Sequence, residues 1–338
     1  MTLIRKTLIV FILGLCIAGA VAVGYYMHYI RTPIDDEARE VVVRITPGTG
    51  FAAICDRLDE AGLVKNRWLF HLYVYLKGQE RHLGSGEYLL SSSMTPHDLL
   101  GKLVRGEVMD YRVSFPEGFT VEQMAARLEN RRLADAAVFM AAARDREFLR
   151  SLGIDGKTAE GFLFPDTYRF TRSMSERDII RAMVEEFHEK LTLPMKRRIA
   201  DVGMTLVKFV TLASIVEKES GVEEEKALIA AVFLNRLKKR MRLQSDPTVI
   251  YGLDDFDGNL TREHLETKNP YNTYRIKGLP PGPICNPGLS SMEAVLFPAD
   301  VNYLYFVSRN DGTHHFSSDL KSHNEAVITY QIKRRRGR

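Results

Sequence analysis

Cysteine is scarce in this chain of 338 residues: Cys16, Cys55 and Cys285 are all it has. Neither their number nor their spacing makes a disulfide framework or a zinc site. One bridge, between Cys55 and Cys285, is the most they allow, and two separate thiols are the expected state. Charge of one sign is also lacking. Lys and Arg number 47 against 43 Asp and Glu, a formal +4, too little on this length for nucleic acid to be the main partner. No glycine-rich phosphate loop, metal-ligand pair at helical spacing or nucleophile elbow occurs. Those absences argue against P-loop phosphoryl transfer, zincin-type hydrolysis and serine-hydrolase chemistry, and no metal or cofactor is expected. Long apolar runs are missing too, with one exception.

The exception is Thr7 to Met27 (TLIVFILGLCIAGAVAVGYYM), uncharged throughout and close to the roughly 20 residues that carry a helix across a bilayer. Arg5 and Lys6 precede it, and Asp35, Asp36 and Glu37 follow. Basic flanks stay on the cytoplasmic side, so residues 1–6 are expected inside and the bulk of the chain outside. Tyr25 and Tyr26 fall where an interfacial aromatic pair belongs. A cleaved signal peptide is the rival, but the run is too long for an h-region and no small-x-small cleavage site follows it. Cys16 makes a poor lipoprotein site because Leu15 stands where a small residue is needed. An uncleaved transmembrane helix over 7–29, followed by a connector over 30–39, is expected. It shares no pattern with the rest, so a soluble fragment from about Asp35 is expected to fold without it.

Beyond the anchor, the length allows roughly two folded units of α+β class. EVVVRI (Glu40–Ile45) alternates as a strand does. A Pro/Gly turn leads into a helix carrying Phe51, Ile54, Leu58 and Ala61, stopped by Gly62. Asn66 caps a second helix with Trp68, Leu69, Leu72, Tyr73 and Leu76. GEYLL (Gly86–Leu90) reads as a short strand, and Thr95 caps a helix ending at Gly106, so a first module spans 40–106. The stretch 107–157 contains an echo of it. Arg44–Leu63 and Val113–Leu133 share a strand, a Pro/Gly turn and a helix, with Arg57-Leu58 matching Arg127-Leu128. An alanine-rich helical connector follows. In 158–332 helices are expected at Ser175–Leu191, Met204–Ser220 and Glu223–Arg240. A loop-rich region comes next, in which Tyr303–Ser308 is the one clear strand; such loops are uncommon unless they build a site. The basic run at 333–338 reads as a solvated tail.

Chemistry concentrates at TLASIVEKESG (Thr211–Gly221). A mostly apolar helix ends abruptly in Glu-Lys-Glu-Ser-Gly, with Leu212, Ile215 and Val216 on the face below Glu219. Desolvation and the negative end of the helix dipole both disfavour its anion. A carboxyl so placed can hold a proton near neutrality and donate it to a leaving oxygen. Glu217 lies over Ala213, Ser214 and Val210, small residues that would leave room for a ligand, and Lys218 could pair with either glutamate. His314-His315 is an adjacent pair, and neighbouring histidines are seldom co-ligands.

SIVEKES, VFLNRL, MRLQSDPTVIYG, NPYNTY, GLPPGPICNPG, YLYFVS, HHF and SHN occur in an order and spacing that resemble the endolytic murein transglycosylases, the YceG-like family of bacterial inner-membrane proteins. EGFLFPDTYRF (Glu160–Phe170) resembles the start of that family's catalytic domain, and the turn at Pro47–Gly50 fits its LysM-like first module. The resemblance implies a LysM-like module at 40–106 and a catalytic domain at 158–332 facing outward from the inner membrane. It implies peptidoglycan glycan strands as substrate, non-hydrolytic cleavage to 1,6-anhydro ends and termination of nascent strands, with peptidoglycan synthases as possible partners. Its catalytic glutamate falls on Glu219, with Glu217 and Ser220 in support. His315 stands where relatives carry threonine, which leaves His314 the better candidate of the pair.

Sugar binding needs hydrogen-bonding groups and an aromatic face. Asn235, Gln244, Asp246, Thr248, Tyr251, Tyr271, Asn272 and Tyr274 supply both, and with His314 form the expected substrate-binding set. Asn, Asp and Tyr also serve as internal caps in loops, so each has a structural alternative. Two other functions stay open: an inactive membrane-anchored peptidoglycan-binding scaffold, and a hydrolytic muramidase with Glu217 or Asp246 as base.

Overall fold

The computed structural model describes residues 2–35 and 37–332. Asp36 and the basic run from Lys333 to Arg338 lie outside the described residues. The chain divides into two units, residues 1–111 with 169–173, and residues 112–168 with 174–338. Cys55 and Cys285 are both free and buried.

The first unit begins with α1 (Thr2–Arg31), long and apolar enough to cross a membrane. β1 (Glu40–Ile45) and β2 (Gly86–Ser91) pair antiparallel, Glu40 opposite Ser91 and Ile45 opposite Gly86. Between them lie α2 (Phe51–Glu60) and α3 (Arg67–Leu76), and α4 (Pro96–Arg105) follows. The ends of these helices are written in the sequence. The Asn66 side chain accepts from the N–H groups of Trp68 and Leu69, and Thr95 and Asp98 close a capping box across Pro96, the first residue of α4. Gly106 ends α4 at φ 63, a left-handed conformation that glycine adopts freely. Ile54, Leu58, Phe70, Val74, Tyr88, Leu90, Leu99 and Leu103 form the core.

The expected separation of the anchor from this module does not hold. The last turns of α1 are part of this core: Tyr29 is buried, Tyr26 and Ile30 pack beside it, and the Tyr29 hydroxyl donates to Asn66 O at 2.9 Å. A fragment starting at Asp35 would therefore lack a piece of the module it was meant to free. The sequence hid this because an apolar residue in a membrane run looks the same whether lipid or protein covers it.

The second unit contains most of β3 (Tyr111–Ser114), α5 (Val121–Asn130), α6 (Ala136–Ala142) and α7 (Arg146–Ser151). β4 (Thr167–Phe170) pairs with β3. Then come α8 (Glu176–Lys190), α9 (Leu193–Asp201), α10 (Leu206–Glu219), a 3-10 turn at Glu223–Glu225 and α11 (Lys226–Lys238). The stretch read as loop contains three helices: α12 (Asp246–Tyr251), α13 (Arg262–Glu266) and α14 (Leu289–Leu296). β5 (Tyr305–Ser308) pairs antiparallel with β6 (His314–Ser317), a strand not expected from sequence, and α15 (Leu320–Val327) runs into a π-helical turn at Ile328–Ile332 that closes the described chain. α10, α11 and α14 pack on one another, burying Phe209, Leu212, Ile215, Val216, Phe233, Met292 and Leu296.

The echo between the two strand–turn–helix stretches extends to matched atoms. Arg57 Nη1 donates to Arg44 O at 2.7 Å, and Arg127 Nη1 to Ser114 O at 2.6 Å. Leu58 and Leu128 are both fully buried. Leu63 N–H donates to Leu58 O at 2.9 Å and Leu133 N–H to Leu128 O at 3.0 Å. The preceding residues, Gly62 and Arg132, both turn left-handed, with φ 67 and 56. Each copy thus ends its helix with the same kind of reversal.

Candidate active site

Thr205 caps α10 by accepting from Lys208 N–H, and the helix is buried continuously from Phe209 to Val216. It stops at Glu219 because Ser220 is extended (φ −89, ψ 123). Gly221 comes next, where a Cβ would lie 3.0 Å from Gly312 O in the β5–β6 turn. The sequence therefore places a carboxylate at the last helical residue, half-buried on an apolar base. Its pKa is pushed up to about 7, chiefly by burial and further by the charge of Asp246; the Ser245 hydroxyl and the Arg236 guanidinium pull against that rise.

Ser245 and Arg236 were not singled out from sequence. Ser245 is fully buried, and its backbone is clamped: its N–H donates to Thr273 Oγ1 at 2.9 Å, and its carbonyl accepts from Thr248 Oγ1 at 2.6 Å. Gln244 before it has φ 52, a strained conformation for a non-glycine residue that surrounding bonds must hold. As the residue preceding α12 in Ser-Asp-Pro, Ser245 reads as an ordinary helix cap, yet its side chain makes no cap bond. Its Oγ is buried with no other hydrogen-bond partner and lies against the Glu219 carboxyl, whose anion it favours. Arg236 is buried too. It donates to Leu304 O at 2.6 Å and Leu243 O at 2.7 Å, with its guanidinium 5.2 Å from the Tyr305 ring centre. Burial holds its pKa below the ordinary arginine value. The signal for Arg236 was its place directly after Asn235; nothing local said it would turn inward.

Tyr274 donates to Asp246 Oδ1 at 2.6 Å, and both lie close enough to Glu219 to couple to its charge. Gln244 is exposed and its Oε1 accepts from Arg236 Nη1 at 3.4 Å. Of the rest of the expected substrate-binding set, two residues are out of a ligand's reach and the others are engaged within the protein. Thr248 and Asn272 are fully buried; Thr248 bonds Thr273, and the Asn272 amide donates to Leu265 O and Thr267 O. They shape the loop and cannot line it. Asn235 donates to Val301 O and Tyr303 O, holding the chain ahead of β5. Tyr251 turns toward the interior and donates to the buried Glu160, with the Tyr271 ring 4.9 Å from its own. His314 is pinned through Nδ1 and its backbone N–H to the Glu225 carboxylate at 2.7 and 2.9 Å.

The supporting pair is placed differently from expectation as well. Glu217 accepts from Gly288 N–H at 3.0 Å and Ser291 Oγ at 2.6 Å, and Lys226 lies 3.6 Å away. It ties the start of α14 to α10. The room expected over Ser214 is filled by the 284–291 segment: Ile284 N–H donates to Ser214 Oγ, and Cys285 Sγ to Ser214 O. Ser220 Oγ donates to Val222 O at 2.6 Å, locking the turn after the helix. Among the described residues, no group of three or more His, Cys, Asp or Glu side chains is arranged to hold a metal ion.

Taken together, the groups around Glu219 offer one carboxyl balanced near neutrality, with a hydroxyl and a guanidinium that favour its anion and a neighbouring carboxylate that opposes it. Such a group can give a proton and take one back at the same pH.

A sequence model of the YceG-like family matches residues 43–329. An endolytic murein transglycosylase of Bacillus subtilis is 32% identical over 94% of this chain and 91% of its own length. One from Streptococcus pneumoniae is 29% identical over 97% of this chain, which spans 65% of that longer protein. The crystal structure of a yceG-like protein from Listeria monocytogenes matches with a TM-score of 0.59 at 34% identity, covering 85% of this chain and 98% of that one.

Proposed function

The chain belongs to the YceG-like family, and we propose that it is an endolytic peptidoglycan lytic transglycosylase with Glu219 as its one acid/base. The observation that carries this reading is the Glu219 carboxyl at the end of a buried helix, its pKa near 7, beside the buried Ser245 hydroxyl that favours its anion. Relatives named endolytic murein transglycosylases support the substrate class.

In this mechanism protonated Glu219 gives its proton to the glycosidic oxygen as that oxygen leaves C1 of N-acetylmuramic acid. The substrate's N-acetyl group shields the electron-poor C1. Ser245 and Arg236 hold the glutamate anion between the two steps. The C6 hydroxyl then closes on C1, its proton returning to Glu219, and a 1,6-anhydro ring results with no water consumed. Asp246 and burial keep the carboxyl basic enough to accept that proton.

A hydrolytic muramidase is the second reading, because Asp246 is a carboxylate beside the acid. Its engagement with Tyr274, and that of Glu217 with Gly288, Ser291 and Lys226, speaks against either as a free base. Mass spectrometry of the strand ends released from peptidoglycan decides. Anhydro ends are expected; ends heavier by one water would establish hydrolysis, and no release would leave a scaffold.

α1 anchors the enzyme in the cytoplasmic membrane, with Arg5 and Lys6 inside and the chain from β1 onward outside. The βααβ order of residues 40–91 supports a LysM-like module that holds glycan. Termination of nascent strands beside peptidoglycan synthases is the cellular role this placement suits.

A further inference from the structure

The helix α3 that receives the end of the anchor has a second, uncovered face. Its inner side is filled by Phe70, Tyr73 and Val74. On the opposite side Trp68, Leu72, Tyr75 and Leu76 are 69%, 43%, 63% and 64% exposed. Their spacing of four, three and one residues places all four on one helical stripe. Three large apolar or aromatic side chains more than half exposed on one short helix are too much apolar surface for an ordinary solvated face. Lys65, Arg67 and Lys77 flank the stripe and are exposed, and the Arg67 guanidinium sits 4.6 Å from the Trp68 ring centre.

What covers this face follows from where α1 ends. The Tyr29 hydroxyl bonds Asn66 O, the residue that caps α3, and Tyr29 itself is buried in the module core with Tyr26 and Ile30 beside it. The last turns of α1 thus pack directly on the module core. About 20 residues of helix fill the hydrocarbon layer, so the last turn of α1 lies in the headgroup zone and α3 is held there with it. Trp and Tyr favour that zone, with basic residues at its edge. We propose that the Trp68–Leu72–Tyr75–Leu76 face of α3 lies in the outer membrane–water interface as a second, peripheral contact that fixes the module against the lipid surface. The proposal rests on α1 crossing the membrane.

Trp68 is the only tryptophan in the chain, so the full-length protein carries its own probe. The protein is reconstituted sparsely into vesicles of phosphatidylcholine and phosphatidylglycerol, with and without lipids brominated along the acyl chain, and recovered by flotation. Expected are a blue-shifted Trp68 emission, strong quenching that is greatest for bromines near the headgroup, and weak quenching by acrylamide. Leu72→Asp with Leu76→Asp, both on the exposed stripe, should reverse all three while the protein still floats. Flotation with acrylamide-accessible Trp68 and no bromolipid quenching would overturn the proposal. Shielding that ignores bromolipid and grows with protein density would overturn it in favour of a second copy. Failure to float would remove the anchor itself, a distinguishable outcome, and the proposal with it.

Discussion

At the residue scale, Glu219 carries a pKa raised from 4.5 to about 7, chiefly by burial. Between those values the folded state holds a proton that the unfolded chain releases. Its contribution to stability is therefore full below about pH 4.5 and is lost as the pH rises through about 7. Glu219→Gln removes the titration, so its melting temperature should exceed the wild type's above pH 7 and converge with it below pH 4.5. A wild-type curve that does not fall across that window would contradict the burial argument. Ser245→Ala removes a donor from the anion and should raise the Glu219 pKa further, moving the alkaline limb of kcat/KM against pH, where the protonated acid is lost, to higher pH. A hydrogen bond to a charged group is worth about 1.5–3 kcal/mol, so kcat should fall by roughly one to two orders of magnitude. Stability should hardly change, because the hydroxyl has no other partner. A purely structural serine would lower stability and leave the pH limb in place. The place of Glu219 at the end of an apolar helix was legible as a local pattern. That pattern alone fits an ordinary charged helix end, and the choice of Glu219 as acid rested on the family resemblance. The burial of Thr248 and Asn272 was not legible, since a polar loop residue reads alike whether it faces solvent or is fully buried.

At the scale of elements, the join of α10 to α14 explains Glu217. Its carboxylate accepts from Gly288 and Ser291 and faces the buried Lys226. Glu217→Gln should destabilise by about 1–3 kcal/mol, as loss of a charge-assisted network does, while the folded fraction goes on making anhydro ends. Chemical denaturation and product release measured on the same preparation check this, and a stable but inactive variant would return Glu217 to the chemistry. The helices α8 and α10 were readable because Ser175 and Thr205 cap apolar runs of several turns. α12 was read as loop because Asp246-Pro247 is turn chemistry as well as a helix start. β6 was missed because His314-His315-Phe316-Ser317 has no alternation of its own. Its strand character comes from pairing, His315 opposite Val307 and Phe316 opposite Phe306.

At the scale of the whole molecule, the anchor and its module are one structure. Removing residues 1–34 takes out the buried Tyr29; loss of a large aromatic from a core costs about 3–5 kcal/mol. A fragment starting just before Tyr25 should therefore melt higher than one starting at Asp35. Equal melting would show that the Tyr29 contact is dispensable. The apolar run itself was plain in the sequence, as was the α+β class. The return of Arg169–Ser173 to the first unit was not, because no local pattern records which distant segment a strand will join. In the proposed mechanism one carboxyl, Glu219, both gives and takes the proton. Its most direct test compares the 1,6-anhydro ends released from peptidoglycan by the full-length protein and by Glu219→Gln, both verified as folded. General acid–base catalysis contributes a factor of about 10² to 10⁴, so the account predicts a loss of at least that size with any residual product still anhydro. Undiminished release by Glu219→Gln, with loss on Asp246→Asn instead, would contradict it.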